Sequence, residues 1–319
     1  MSLVLKQYGL VFGSPCPCGS GQQVQACCLR GDHFHRDQAA TAPPLPRTGH
    51  ARGGCYASPL SDCSSKLSAE HYVSKAILDL LNAPTPSGSG KPKDLRVKGL
   101  HWIPDGEERC IPPDALKAKV LCTRHNSALS GLDAMAAQFF LALDAIDEEF
   151  GPREAEAAER VRVFNGHDVE RWLLKMTCGL AASGCVDHGW VKPTDSDIPQ
   201  EWLHVLFGDT EFGPMQGLYV PVEIGRRYQG TRGIHISVLG RNTDEGGKLA
   251  GLGVQVRTYP FVFSMSPRPS DPRLIQGVRH AFRPDEIEVT CSGEVRSIVL
   301  TWDGPHDGGK LTFTAEAAT

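Results

Sequence analysis

Apolar side chains recur at helical spacing in the middle of the chain. This spacing predicts an amphipathic helix over residues 127–150. Ser130, followed by Asp133 three residues later, resembles a capping box at the start of that helix. A second helix is predicted on the same grounds over residues 168–183.

The last third of the chain changes to short β-branched runs separated by Gly, Pro, Asn and Asp. The runs are LYVPVEI, GIHISVL, LGVQVRT, FVFSMS, IEVTC, SIVLTW and KLTFTAE. Their length and spacing predict an antiparallel sheet or sandwich over residues 201–319. Because these strands follow the helices rather than alternating with them, the expected fold class is α+β.

Charge and hydropathy narrow the function classes. The formal net charge is -4, so contact with nucleic acid would need a local basic patch rather than a global positive field. The N-terminal residues lack the basic and apolar regions of a signal peptide. No run approaches the roughly 18 apolar residues that a membrane span needs. We therefore expect a soluble, cytoplasmic protein that does not bind a membrane.

The chain has eleven cysteines, most of them before residue 126. An odd number of cysteines argues against a secreted scaffold held by disulfides. In a reducing compartment, clusters of cysteines are more often metal sites. The first cluster has the pattern C-x-C-x8-C-C, formed by Cys16, Cys18, Cys27 and Cys28. Four thiolates can surround one zinc ion tetrahedrally, and a segment too short to bury a core would gain its folding energy from the metal.

This segment closely resembles the SEC-C motif, a small zinc module found at the end of the bacterial preprotein translocase ATPase and on many unrelated proteins. All four ligand positions and the CGSG turn match. A saturated four-thiolate site leaves no open coordination position, so the resemblance implies a structural zinc, with or without a role in docking a protein partner.

A second constellation centres on Glu70 and His71, with Asn126 further along the chain. Phosphodiester hydrolysis needs a base to deprotonate water, and a neutral imidazole suits that role near pH 7. It also needs a cation, and a hard cation such as Mg²⁺ prefers oxygen ligands. Glu70, together with Asp133 or Asn126, could supply those oxygens.

The order of these residues resembles the HNH (ββα-metal) endonuclease family. In that family an acidic residue and His end the first strand of a hairpin, Asn follows a zinc knuckle on the second strand, and a helix completes the unit. The resemblance implies a structural zinc held by Cys55, Cys63, Cys122 and His125, with His125 in place of the usual cysteine. Cys110 is an alternative fourth ligand.

The resemblance also implies a role for each matching position. His71 is expected to be the general base, and Glu70 a ligand of a catalytic Mg²⁺ or Mn²⁺ ion. Asn126 would orient the loop and the base, and Asp133 would be the last ligand of the cation. The long stretch between His71 and Asn126 departs from the family pattern and requires an insertion.

The expected function is a metal-dependent HNH-type DNA endonuclease, with restriction or phage defence as a context that rests on family association alone. The alternative is a non-catalytic zinc-binding adaptor for nucleic acid or for a protein partner, reached through the SEC-C-like motif or the β domain. The sequence does not distinguish DNA from RNA as the substrate. The predicted segments are a zinc motif (1–37), a linker (38–54), a zinc-stapled HNH-like ββα domain (55–150), a helical connector (151–200) and a β-rich domain (201–319).

Overall fold

The computed structural model describes residues 2–82, 95–100, 102–148, 160–185, 198–222, 233–243, 246–257, 259–266, 273–275, 277–291 and 294–314. Over these residues the protein is a mixed α+β structure with six α-helices and four sheets. None of the described helices is long and apolar enough to cross a membrane.

The first part of the chain alternates short helices and strands. They are α1 (Leu3–Gln7), β1 (Leu29–Arg30), β2 (His33–Phe34), β3 (Leu67–His71), α2 (Lys75–Asn82), β4 (Leu95–Lys98), β5 (Arg109–Ile111) and β6 (Lys117–Cys122). The middle of the chain contains α3 (Thr123–Ala128), α4 (Ser130–Glu148), β7 (Val161–Asn165), α5 (Gly166–Ala182) and α6 (Gln200–Leu206).

The rest of the described chain is formed of strands. They are β8 (Gly217–Pro221), β9 (Gly233–Thr243), β10 (Gly246–Val256), β11 (Tyr259–Ser264), β12 (Leu274–Ile275), β13 (Val278–Phe282), β14 (Glu286–Cys291), β15 (Glu294–Thr301) and β16 (Lys310–Thr314). Each of the seven β-branched runs contributes residues to one of these strands. Successive side chains of a strand point to opposite faces, so such a run can bury one face of a sheet.

The two larger sheets combine strands from distant parts of the chain. The eight-stranded sheet has the order β12-β13-β8-β11-β10-β9-β4-β5, and β4 pairs with β9 in parallel. The four-stranded sheet has the order β16-β14-β15-β7. Here β14 and β15 form a hairpin, while β16 and β7 flank it in parallel, so the sheets are not purely antiparallel. Both sheets cross the boundaries of the predicted segments, which themselves stay a prediction.

The two predicted long helices are present with shifted starts. Helix α4 begins at Ser130, because the short α3 occupies the residues immediately after β6. The Ser130 hydroxyl donates a hydrogen bond to the Ser127 carbonyl. The Asp133 carboxylate accepts one from the Ser74 hydroxyl. Helix α5 begins at Gly166, where the Asn165 side chain accepts the first amide hydrogen bonds as an N-cap.

Helix α4 joins the two larger sheets through aromatic contacts. The Phe139 ring lies 5.3 Å from that of Phe164 on β7 and 5.6 Å from that of Phe261 on β11. These separations are typical of favourable aromatic pairs. A single apolar cluster therefore includes residues of α4, α5 and both sheets.

The N-terminal segment packs against the outer edge of the four-stranded sheet. Leu5, Leu10 and Val24 are buried with Val161 and Val163 of β7 in a second apolar cluster. The Val163 amide donates a hydrogen bond of 3.3 Å to the Pro17 carbonyl. The Cys-rich knot is therefore fixed to β7 by apolar burial and by a main-chain hydrogen bond.

Helix α5 is buried along nearly its whole length, including its charged residues. The Glu170 carboxylate accepts hydrogen bonds from Nε and Nη2 of Arg283, at 2.8 and 3.0 Å. It also accepts one from the Leu218 amide at 2.8 Å and lies 3.0 Å from Nδ1 of His167. This network ties α5 to β8 and to the end of β13.

We expect Glu170→Gln to destabilise the protein by about 3 to 5 kcal/mol, because it leaves the buried Arg283 guanidinium without a counter-charge. Urea unfolding measures the change. The matched control is Lys75→Ala, which removes an ion pair with Asp79 whose side chains are 63% and 56% exposed. That loss should be within about 0.5 kcal/mol. Equal effects of the two substitutions would contradict the role assigned to Glu170.

Candidate functional site

Strands β3 and β6 form an antiparallel pair, and α3 and α4 follow directly after β6. The register places Leu67 opposite Cys122 and His71 opposite Lys117, with an irregularity between Ser68 and Glu70. The stretch between the two strands contains α2, β4 and β5. Both β4 and β5 belong to the eight-stranded sheet rather than to the β3–β6 pair.

Cys55, Cys63, Cys122 and His125 converge beside this strand pair. Their ligand atoms lie within 4.8 Å of one another, all four residues are buried, and the set could hold a metal ion. Nδ1 of His125 lies 3.2 Å from the sulfur of Cys122, 3.7 Å from that of Cys55 and 3.8 Å from that of Cys63. Cys110 is exposed on β5 and belongs to neither convergent set.

Local hydrogen bonds prepare these donors for a cation. The Cys55 sulfur accepts from the Cys122 amide at 3.3 Å, and the Cys122 sulfur accepts from the Ser64 amide at 3.4 Å. Burial acts against the Cys122 thiolate, but amide hydrogen bonds from His125 and Ser64 lower the pKa of this thiol. Burial lowers the pKa of His125 to about 4. The imidazole is therefore neutral near pH 7, as a metal ligand must be.

Asp62 connects the predicted linker to the residues around the second donor set. Nε and Nη2 of Arg124 lie 3.0 and 3.1 Å from the two carboxylate oxygens of Asp62. The same carboxylate accepts a hydrogen bond of 2.7 Å from the Thr48 amide. Residues around Thr48 are thus bound to the strand pair by specific polar contacts.

Cys16, Cys18, Cys27 and Cys28 also converge, with ligand atoms within 4.8 Å of one another, and could hold a second metal ion. The turn between the two cysteine pairs has positive φ angles of 79° at Gly19 and 75° at Gly21. Glycine adopts this conformation without steric cost, which permits the chain reversal. No other group of the described residues converges in this way.

Three of the four residues predicted to be catalytic meet at one point. The Asn126 side chain donates a hydrogen bond of 2.9 Å to the hydroxyl of Ser68, two residues before Glu70 on β3. Asp133, from the first turn of α4, lies at the same place. Glu70, Asn126 and Asp133 thus lie close together, and their catalytic roles stay a prediction.

The point where these side chains meet contains the ammonium group of Lys175 from α5. Its Nζ lies 2.5 Å from Oε1 of Glu70 and 2.5 Å from Oδ2 of Asp133. The second oxygen of Asp133 accepts a 2.5 Å hydrogen bond from the Ser74 hydroxyl, which accepts one from Trp172. Burial raises the pKa of Glu70 above its ordinary value, even though Lys175 lies against it.

His71 lies beside this cluster but has a different partner. Its Nε2 is 3.4 Å from Oδ1 of Asp114, which also pairs with Lys117. The imidazole is 17% exposed, whereas the side chain of Glu70 is 6% exposed. Lys117 and, to a lesser extent, His71 lower the pKa of Asp114. His71 is thus the more accessible of the two residues, and its Nε2 lies near the Asp114 carboxylate.

A divalent ion does not fit the Glu70–Asp133 pair as it stands. Both oxygens of Asp133 and one of Glu70 already bind Lys175 or Ser74. Mg²⁺ requires about six oxygen ligands in near-octahedral geometry, and these carboxylates have few lone pairs left for it. The predicted catalytic Mg²⁺ or Mn²⁺ therefore has no suitable ligand set among Glu70, Asp133 and Asn126 in this arrangement.

Sequence reasoning missed Lys175, Ser74 and Trp172. Ser74 and Trp172 are ordinary helix-flanking and core residues by pattern. Only Lys175 could have been noticed in the sequence, because it lies among the apolar residues of the LLKM segment in the predicted helix. A charged residue in a buried position of that kind needs a partner. Nothing local in the sequence identifies that partner.

Comparisons with known proteins add no relative. No protein-family model, no curated protein and no solved structure matches the chain.

We expect two metal ions per chain by elemental analysis, because two four-donor sets converge. Cys18→Ser should remove one ion and leave the second set intact. Cys110→Ser is the matched control and should keep both, since its thiol belongs to neither set. A loss of metal in Cys110→Ser, or a full complement in Cys18→Ser, would show that the ligand assignment is wrong.

Proposed function

We propose that both four-donor sets hold structural zinc. Thiolate and imidazole ligands are those that zinc prefers, in sets of four cysteines or of three cysteines and one histidine. Tetrahedral bonds of about 2.0 to 2.3 Å imply separations of roughly 3.5 Å between ligand atoms. The distances of 3.2 to 3.8 Å around Nδ1 of His125 agree with that geometry. Neither set leaves a position for a substrate.

We further propose that the zinc-stapled strand pair and its helices are an HNH-type unit that hydrolyses nucleic-acid phosphodiester bonds. One observation carries this proposal: Glu70 on β3 and Asp133 on α4, which lie far apart in the sequence, meet at one Lys175 ammonium, and Asn126 binds Ser68 on the strand that carries Glu70. DNA is the proposed substrate, and restriction or phage defence the proposed context, on the resemblance alone.

His71 is the base in this proposal. A carboxylate close to Nε2 favours a proton on that nitrogen, which leaves Nδ1 able to accept a proton from water. Asp114 occupies this orienting position. Asn126 contributes by binding Ser68, which fixes the strand that carries His71.

The substrate phosphates need positive partners that reach solvent. Lys66, Lys117 and Lys119 are exposed on or next to the same strand pair. Lysines of this kind bind the nucleic-acid backbone without reading its sequence. They provide the local basic surface that a chain with a net charge of -4 requires.

A non-catalytic adaptor is the second candidate, and a specific observation favours it. The Glu70–Lys175 pair is buried, with side chains 6% and 2% exposed, so a phosphate group would not reach it without rearrangement. Val11 and Phe12, beside the first cysteine set, are 55% and 59% exposed and could contact a protein partner. In this case both zinc modules would present binding surfaces only.

Plasmid nicking by the zinc-loaded protein separates the two candidates. The assay is run with EDTA and, in parallel, with added Mg²⁺ or Mn²⁺. The hydrolase proposal predicts that His71→Ala reduces nicking by roughly 100-fold or more, as removal of a general base typically does. Gel quantification of supercoiled and nicked plasmid gives the rate.

His33→Ala is the matched control, since His33 is exposed on β2 and distant in sequence from the site. It should nick at the rate of the unmodified protein. Nicking that survives His71→Ala would rule out His71 as the base. Tight DNA binding with no nicking under any of these conditions would favour the adaptor.

A further inference from the structure

We infer that the Lys175 ammonium is the resident cation of the Glu70–Asp133 pair, in the place that the HNH resemblance gives to a divalent ion. The inference concerns the same site as the proposed function but rests on the side-chain geometry alone. It assigns Lys175 as a positioning residue that holds Glu70 and Asp133 in place.

The geometry is that of a shared cation. One Nζ atom lies 2.5 Å from an oxygen of each carboxylate, and the two carboxylates come from different elements, β3 and α4. Lys175 itself comes from a third element, α5. The ammonium therefore links the strand pair to both long helices, which is a function that a bound ion otherwise performs.

Burial fixes this arrangement. The Lys175 side chain is 2% exposed, and the adjacent turns of α5 are buried as well, including Trp172 and Met176. A buried ammonium without partners is strongly destabilising, so Lys175 is held at the two carboxylates. Trp172 reinforces the position, because it lies one turn earlier on α5 and binds Ser74, which in turn binds Asp133.

The charge balance opposes a second cation. With both carboxylates ionised and Lys175 protonated, the group carries a formal charge of -1. A divalent ion would add two positive charges beside an existing ammonium a few ångströms away. The two cysteine sets differ from the Glu70–Asp133 pair in this respect, because each brings four metal-binding donor atoms together.

Manganese binding to the zinc-loaded, full-length protein tests the inference, with electron paramagnetic resonance and calorimetry as readouts. The unmodified protein should show no site that depends on Glu70. Lys175→Met keeps the length and apolar stem of the side chain but removes its charge. It should gain one Mn²⁺ site, roughly tenfold or more tighter than any site in the unmodified protein.

Two further variants serve as controls. Lys175→Arg keeps the positive charge and should gain no Mn²⁺ site. Lys175→Met combined with Glu70→Gln should lose the gained site, because a carboxylate ligand is removed. Circular dichroism and zinc content establish that each variant is folded.

The inference is overturned if the unmodified protein binds one Mn²⁺ ion at a site that Glu70→Gln abolishes. This measurement requires no substitution at Lys175, so it holds even where Lys175→Met fails to fold. A folded Lys175→Met that gains no Mn²⁺ site also counts against the inference.

The plasmid assay distinguishes failure of this inference from failure of the hydrolase proposal. Nicking that needs His71 and persists in EDTA agrees with both proposals. Absence of nicking, together with the expected Mn²⁺ results, refutes the hydrolase and leaves the assignment of Lys175 intact. Nicking that needs a divalent ion bound through Glu70 refutes the assignment and retains the hydrolase.

Discussion

Helix α5 is buried from Gly166 to Ala181, yet it carries charged residues that water would otherwise solvate. Each of these must find a partner inside the protein, because an isolated buried charge costs several kcal/mol. Glu170 binds Arg283, Asp168 accepts the Ala39 amide, and Lys175 binds Glu70 and Asp133. These contacts reach the C-terminal strands, the segment after the first cysteine set, and the second module. Three distant parts of the chain are thus tied to one helix by its polar requirements.

The two cysteine sets satisfy a different constraint, which is local. The first is fixed to β7 by Leu5, Leu10 and Val24, and its glycine turn brings two cysteine pairs together. The second closes around the end of β6 and the start of α3, where Cys122 and His125 are one helical turn apart. Each set brings four donor atoms together and could hold a metal ion. Lys175 acts over a longer range, since it joins elements that no cysteine set connects.

Local features of the sequence predicted much of this structure. The cysteine spacing predicted the first donor set, because its ligands lie close together in the chain, and the HNH resemblance implied the second, with Cys110 left as an alternative to His125. Helical periodicity predicted α4 and α5, and alternation predicted the C-terminal strands. The parallel pairings of β4 with β9 and of β7 with β15 could not be predicted, since strand order depends on contacts between distant residues. Asp133 was predicted to approach Glu70, but the partner that joins them was not.

Lys175 shows why a family resemblance alone does not determine the chemistry of a site. The residues that suggest a divalent ion, Glu70, Asn126 and Asp133, lie within the strand pair and its helices, and their order in the sequence is what the resemblance rests on. The charge that they bind is supplied by a helix outside that unit, whose own burial demands a carboxylate partner. The two requirements satisfy each other: the lysine needs counter-charges, and the converging carboxylates need a cation. The cation at such a site is therefore decided by the tertiary packing of α5, and only a structure that includes this helix can identify it.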